Sequence, residues 1–419
     1  MKSVNKQRIV SKGRTVSGTR RVTRDSTEPR HGSRFTTLSL FTMLSLFLSI
    51  FLLPVQAERP RARTLGIEIG TLPPGPLNAI TDVAGVAVGH ITLISGEGAL
   101  NVGLGPVRTG VTAILPHTDD VFVNQVYAAG EILNGNGEMT GLAWVNERGL
   151  LEVPIVLTNT LSVGDAYAGV VAYETGLNPS RVPLPVVAEC YDGGLNDIAG
   201  RHVKPSHVVD AIKKASTGIV REGSVGAGTG MRAYGFKAGI GTASRIVSDD
   251  DGAYTVGVLV NANCGRTKRL IVDGVPVGRD LAANPEPVKD GSIIIVIATD
   301  APLLPHQLRR LCTRSAFGVT RTGTVSRTSS GDFALAFSTA HRFDRARGSE
   351  APHPTVDHVE TLADRHLTPL FQAVIEATEE AVLNAMFTSE AMTGRDDRRI
   401  PALPVSRVVE LLQTAGRIE

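Results

Sequence analysis

At 419 residues, with 43 Lys and Arg against 41 Asp and Glu, the chain has a formal net charge of only +2. Setting aside its basic first stretch leaves an acidic remainder, which excludes polyanion binding driven by bulk charge. Three cysteines, Cys190, Cys264 and Cys312, with no Cys-x-x-Cys pair, exclude a disulfide framework and a zinc knuckle, so the fold must be held by packing.

Residues 1–36 carry many Lys and Arg and few acids, Leu38 to Leu53 form a short apolar run, and Val55-Gln56-Ala57 ends in the small residue favoured at export cleavage sites. Residues 1–57 therefore read as a secretory signal with a long basic lead, cut near Ala57, which predicts a secreted or periplasmic protein; an uncleaved membrane anchor is the alternative. Arg20-Arg21 lies too far ahead of the apolar run for a twin-arginine signal.

Residues 58–77 are rich in Pro and Gly. From Asn78, short apolar runs alternate with Gly-containing turns: NAITDVAGVAVGHITL, TGVTAILPH, PIVLTNT, PLPVVAECYDG, GFKAGIGTASRIV, YTVGVLVNANCG, LIVDGVPVG, GSIIIVIATD and GDFALAFSTA. These predict at least eight strands. Helical spacing predicts a helix over 305–317, opened by Pro305 and closed by Gly318, another over 369–387, and a short one over 404–412. Layered α/β packing follows. Gly226-Ala227-Gly228-Thr229-Gly230 has the wrong spacing for a dinucleotide loop. His353, Asp357 and His358 fall in a segment (345–358) that reads as an exposed excursion, so no metal site is expected there.

Gly291-Ser292 stands directly before Ile293, Ile294, Ile295, Val296 and Ile297. Such a run is expected to be buried on both faces, holding the serine at the mouth of a rigid strand. Gly291 allows strained or positive-φ backbone and leaves its carbonyl open to the neighbouring hydroxyl. Cleavage there would put a hydroxyl nucleophile and a free α-amine on one residue. Asn263 ends another apolar strand, where an amide donor suits an oxyanion hole, although Asn-Cys-Gly also makes an ordinary turn. Ser330-Gly331-Asp332 holds the equivalent position before FALAF, where a hydroxyl and a carboxylate could orient a neighbouring amine. Strand alternation would place Glu189 and Tyr191 on one face, where a carboxylate and a phenol can hold an ammonium group; a solvated strand-end glutamate is the plainer alternative.

Taken with NAITDVAGVAVGH, EGSVGAGTGM, KAGIGTASR, YTVGVLVNANCG, DGSIIIVIATDAPLLPHQ, SSGDFALAFSTA and ATEEAVLNA, these residues give a chain that resembles the DmpA-type aminopeptidases over about Asn78 to Leu403. The resemblance implies a four-layer α/β/β/α sandwich like that of amino-terminal nucleophile hydrolases but with different connectivity. It also implies a precursor that cuts itself into an α chain (58–291) and a β chain (292–419) assembled as an oligomer. It gives Ser292 as nucleophile, Ser330 and Asp332 as the pair beside it, and Asn263 on the oxyanion side. Glu189 and Tyr191 line the pocket, the glutamate receiving the substrate's free amine. The expected activity is a serine aminopeptidase or amidase acting on short peptides, amides or esters, without metal or cofactor. An ornithine acetyltransferase-like acyltransferase and a catalytically silent binding protein are the alternatives, and Cys264 has no assigned role.

Overall fold

The computed structural model describes residues 59–249, 252–282, 291–345 and 356–419; the proposed signal and His353 lie outside them. Residues 59–419 are built on two sheets. One has four strands in the order β1-β2-β5-β6: β1 (Ala87–Ser95), β2 (Val107–Leu115), β5 (Ile155–Asn159) and β6 (Val186–Cys190). The other has six, in the order β4-β3-β12-β11-β10-β9: β3 (Asn124–Gly135), β4 (Leu150–Leu151), β9 (Ile240–Asp249), β10 (Gly252–Asn263), β11 (Ser292–Thr299) and β12 (Gly331–Asp344). A two-stranded ribbon, β7 (Arg232–Ala233) and β8 (Phe236–Lys237), precedes β9.

Helix α1 (Leu142–Arg148) packs on β3. Helices α2 (Val163–Leu177) and α3 (Pro205–Lys213) cover the four-stranded sheet; after the short α4 (Gly278–Leu281), α5 (Pro305–Arg321) and α6 (Thr368–Phe387) cover the six-stranded one, and α7 (Val405–Thr414) closes the chain. The sheets meet at β6 and β11, completing the expected α/β/β/α order.

Strand β11 shows why the order is stable. Ile293, Ile295 and Ile297 join the core under α5 and α6, while Ile294, Val296 and Ala298 join the core between the sheets. All six are at most 1% exposed, so the unbroken apolar run is the period-2 pattern of a strand with two dry faces.

Three expectations need correction. The segment LIVDGVPVG buries Leu270, Val272 and Val277 but forms a tight turn, with Asp273 (φ 46°) and Gly274 (φ 77°) in the left-handed region. Strand β3 was not expected, because its mixed Asn, Gln, Gly and Glu residues hide the alternation. Gly318 does not close α5, which runs on to Arg321. A Cβ there would lie 2.4 Å from the Ile375 carbonyl oxygen of α6, so the glycine serves close helix contact.

Glycine-to-alanine inside a helix ordinarily stabilises by about 1 kcal/mol. Gly318→Ala is expected to do the opposite, costing about 1–3 kcal/mol through overpacking, read as a lower Tm in thermal denaturation; a raised Tm would show that the α5–α6 contact yields.

Candidate active site

Register brings the candidate residues to one sheet end. In the antiparallel β10–β11 pair Asn263 lies opposite Ser292, and in the parallel β11–β12 pair Ile293 lies opposite Asp332. Ser292 shares the inter-sheet face of Ile294 and Val296, and Asn263 that of Asn261 and Leu259, so the two side chains are cross-strand neighbours facing the other sheet. All four of Ser292, Asn263, Ser330 and Asp332 are buried.

Gly291 is fixed by space. A Cβ at 291 would stand 1.4 Å from the Asn263 carbonyl oxygen and 2.4 Å from its carbon, so no side chain fits; sequence reasoning had argued the glycine from conformational freedom instead. Ser330 Oγ lies 2.6 Å from the Gly291 carbonyl oxygen and 2.6 Å from Asp332 Oδ1. A hydroxyl has one hydrogen, yet both neighbours are acceptors. Both contacts are satisfied when Asp332 carries a proton and donates to Ser330 while Ser330 donates to Gly291. Burial pushes the Asp332 carboxyl up from its ordinary range, against the hydrogen bonds of Ser326 and Ser330 that hold it down. Ser326 Oγ donates to the other Asp332 oxygen, and the Gly331 N–H lies 3.3 Å from Ser292 Oγ.

The Asn263 amide is locked at both ends. Nδ2 donates to the Tyr191 carbonyl at 2.9 Å, and Oδ1 accepts from the Arg232 N–H at 3.1 Å. One of the two N–H groups is thereby used, and the other belongs to a donor that cannot rotate, which is the preorganisation an oxyanion needs.

Glu189 sits in β6 at 3% exposure. Its oxygens accept from the Glu138 N–H at 3.3 Å and from Thr160 Oγ1. A Cβ on Gly137 would be 2.9 Å from Glu189 Oε1 and 3.2 Å from the Gly331 Cα, so the carboxylate approaches the loop that touches Ser292. Burial raises the Glu189 pKa, and the Thr160 and Glu138 hydrogen bonds oppose the rise. Tyr191 lies elsewhere than alternation predicted: β6 ends at Cys190, and Tyr191 is 42% exposed. Its ring folds over Gly193, where a Cβ would come within 2.5 Å of the phenol oxygen. Its backbone carbonyl accepts from Asn263.

Thr160, Ser326 and the Glu138 N–H were not anticipated. Thr160 ends the run PIVLTNT and carried a weak signal; Ser326 and Glu138 act from loops whose approach only the tertiary fold reveals. Cys264 is buried, its thiol pushed far up by burial and then by Asp332, and it packs in the core beneath the helices. In the glycine-rich 226–230 segment, a Cβ on Gly226 would be 2.4 Å from Thr112 Oγ1 and one on Gly228 2.4 Å from the Ile240 nitrogen, so these glycines serve close packing. Asp357 and His358 are exposed.

Comparison with known proteins adds a separate line of information. The family model described as peptidase family S58 matches residues 78–400. The chain is 46% identical over 379 residues to the beta-peptidyl aminopeptidase BapA of Sphingosinicella microcystinivorans, covering 86% of this chain and 94% of that protein. The solved structure of a Burkholderia sp. beta-aminopeptidase is similar at a TM-score of 0.79 and 45% identity, covering 85% of this chain and 99% of that one. That of the L-aminopeptidase D-Ala-esterase/amidase from Ochrobactrum anthropi, described as a prototype for the serine aminopeptidases and a new variant among the Ntn hydrolase fold, is similar at a TM-score of 0.79 and 42% identity, covering 86% of this chain and 100% of that one.

A raised carboxyl pKa has a consequence for stability. Above the ordinary glutamate value of 4.5 the folded state holds a proton on Glu189 that the unfolded state has lost, so this group's contribution falls as pH rises through its folded pKa. The stability of Glu189→Gln relative to the unmodified protein is therefore expected to grow as pH rises above the ordinary glutamate value of 4.5, as read by urea denaturation. A difference independent of pH would place Glu189 in the ordinary range.

Proposed function

Since the chain belongs to peptidase family S58 and is a hydrolase of the serine aminopeptidase/amidase type, we propose that it matures by cutting its own backbone between Gly291 and Ser292. It then removes amino-terminal residues from short peptides, amides or esters through an acyl-enzyme on Ser292. The observation that carries this reading is Ser330 Oγ standing 2.6 Å from the Gly291 carbonyl oxygen at the head of β11.

In maturation, Ser292 Oγ attacks the Gly291 carbonyl carbon, a C–O bond forms as the C–N bond breaks, and the released nitrogen takes up the hydroxyl proton. Water then hydrolyses the ester, leaving a carboxylate on Gly291 and a free hydroxyl and α-amine on Ser292. In turnover, that α-amine, with a reference pKa of about 7.7–8.0, accepts the Ser292 hydroxyl proton near neutral pH. Ser292 attacks the substrate's first carbonyl, Asn263 stabilises the oxyanion, the amine leaves with the proton, and water releases the acyl group. Ser330 and Asp332 orient the α-amine, and Glu189 receives the substrate ammonium. The names of the relatives support testing β-aminoacyl as well as L-α-aminoacyl substrates. The reading extends to an oligomer of processed chains, exported after cleavage near Ala57.

Intact-mass analysis of the purified protein should give two chains, one beginning at Ser292 and the other ending at Gly291 and starting just after Ala57. Ser292→Ala and Gly291→Val should each remain uncut, the second because its side chain meets the Asn263 carbonyl. An active preparation that stays in one piece would refute the pathway.

A buried carboxylate deprived of its ammonium partner costs about 3–5 kcal/mol, on the order of 10²–10³ in rate. N-acetylated peptides are accordingly expected to fall below their free-amine counterparts in kcat/KM by that factor, and Glu189→Gln to lose turnover of free-amine substrates while still self-cleaving. Equal kcat/KM for the two forms would remove Glu189 from the role.

A further inference from the structure

Next to Gly291 and Ser330 the surface sinks into a depression whose walls carry Arg266, Arg269 and Arg327. The first two come from the loop that leaves β10 just after Asn263, the third from the loop that enters β12 just before Ser330. Both loops flank β11, so the register that assembles the catalytic residues also gathers these guanidinium groups. Arg266 and Arg327 are half-buried and Arg269 is exposed.

Elsewhere in the protein, buried or half-buried arginines are matched by carboxylates, as Arg245 is by Glu376 and Glu380, Arg181 by Glu174 and Arg61 by Glu222, or by backbone carbonyls, as Arg108 and Arg59 are. Arg266 and Arg269 depart from that pattern. Among the described residues no carboxylate pairs with Arg266 or Arg269, and Arg266 Nε is buried without a hydrogen-bond partner. Like charges drawn to one hollow repel one another and concentrate a positive potential there, a cost that a bound anion reverses. Guanidinium forks fit a carboxylate in bidentate fashion.

The geometry points to a carboxylate subsite, formed by Arg266, Arg269 and Arg327, that holds the carboxyl end of a short peptide while its first residue is transferred to Ser292. This rests on the aminopeptidase reading above and deepens it. Glu189 takes the ammonium from the β6 side, and the arginines take the carboxylate beyond Gly291 and Ser330, so the site reads both ends of its substrate. The enzyme is thereby a peptidase of very short peptides with free carboxyl ends rather than a trimmer of long chains. The same chemistry has a second possible source, the Gly291 carboxylate that self-cleavage leaves beside the hollow.

The test uses the processed enzyme and one pair of substrates, a dipeptide with a free amine and the same dipeptide as its carboxamide. The unmodified protein should prefer the free acid by about 10-fold or more in kcat/KM. In Arg266→Gln, Arg269→Gln and the double variant this ratio should fall toward one, through KM for the acid. Because the readout is a ratio on one preparation, incomplete folding or processing lowers both rates and leaves it unchanged. Equal use of acid and carboxamide by the unmodified protein would overturn the subsite while leaving the aminopeptidase intact; hydrolysis of neither would instead strike the aminopeptidase reading. A rise in both rates by the same factor in the variants would assign the arginines to the chain's own Gly291 carboxylate and overturn the substrate subsite.

Discussion

Strand β11 is hydrogen-bonded on both edges and apolar on both faces, and the candidate active site depends on that double restraint. Its edges are taken by β10 and β12, which set Asn263 opposite Ser292 and Asp332 opposite Ile293. Its faces are taken by two separate cores, which decide that Ser292 looks toward the other sheet while Ile293 looks toward the helices. A slip of one residue would turn Ser292 into the helix core and Ile293 into the site. Because both faces are apolar, burial alone does not resist such a slip; the pairing with β10 and β12 on both edges and the cost of placing the Ser292 hydroxyl in the helix core do. The placement of the candidate residues is here a by-product of strand pairing.

The electrostatics of the site contrast with the rest of the fold. Glu380 is as deeply buried as Glu189, and burial drives its pKa upward, but Arg245, Arg63 and Asn78 outweigh that and leave the carboxyl below its ordinary value. Glu189 has only a hydroxyl and one N–H for company, so burial wins. A carboxylate kept dry and short of a cation gains most from an arriving ammonium. Asp332 is under similar stress, and its neighbours are two serines rather than a base. The fold pairs several buried carboxylates with arginine, Glu174, Glu376 and Glu380 among them, and leaves Glu189 and Asp332 to hydroxyls and N–H groups.

Much of this was legible in the sequence. The run from Ile293 to Ile297 announced a doubly buried strand because a strand with two dry faces cannot carry a polar residue, and Ser292 and Gly291 followed from its first position. Asn263, Ser330 and Asp332 were readable as strand-end residues. Their meeting was not, since register across β10, β11 and β12 is set by contacts between segments far apart in the chain. The orientation of Tyr191 could not be read from alternation, which holds only as far as the strand does, and β6 stops one residue earlier. Gly318 misled for a related reason: a glycine near a helix end signals a stop locally, whereas here the neighbouring α6 backbone claims the space. Thr160 carried only a weak signal at the end of PIVLTNT, and Ser326 none, because one hydrogen bond leaves no period or motif.

Asn263 ties the two halves of the proposed chemistry together. Its carbonyl oxygen forces residue 291 to be glycine, and its amide, locked by Tyr191 and Arg232, is the donor offered to the oxyanion. Before the cut, Ser330 donates to the carbonyl of the bond to be broken. After it, in the proposed pathway, the α-amine of Ser292 is the former amide nitrogen, one bond from where that carbonyl carbon stood and still within the neighbourhood of Ser330 and Asp332. Breaking the chain at the first residue of β11 removes no apolar contact, because the buried run begins at Ile293 and remains hydrogen-bonded on both edges. In the proposed pathway the nucleophile therefore stays where it was made, and the groups that polarise one amide are already placed to orient the base for the next.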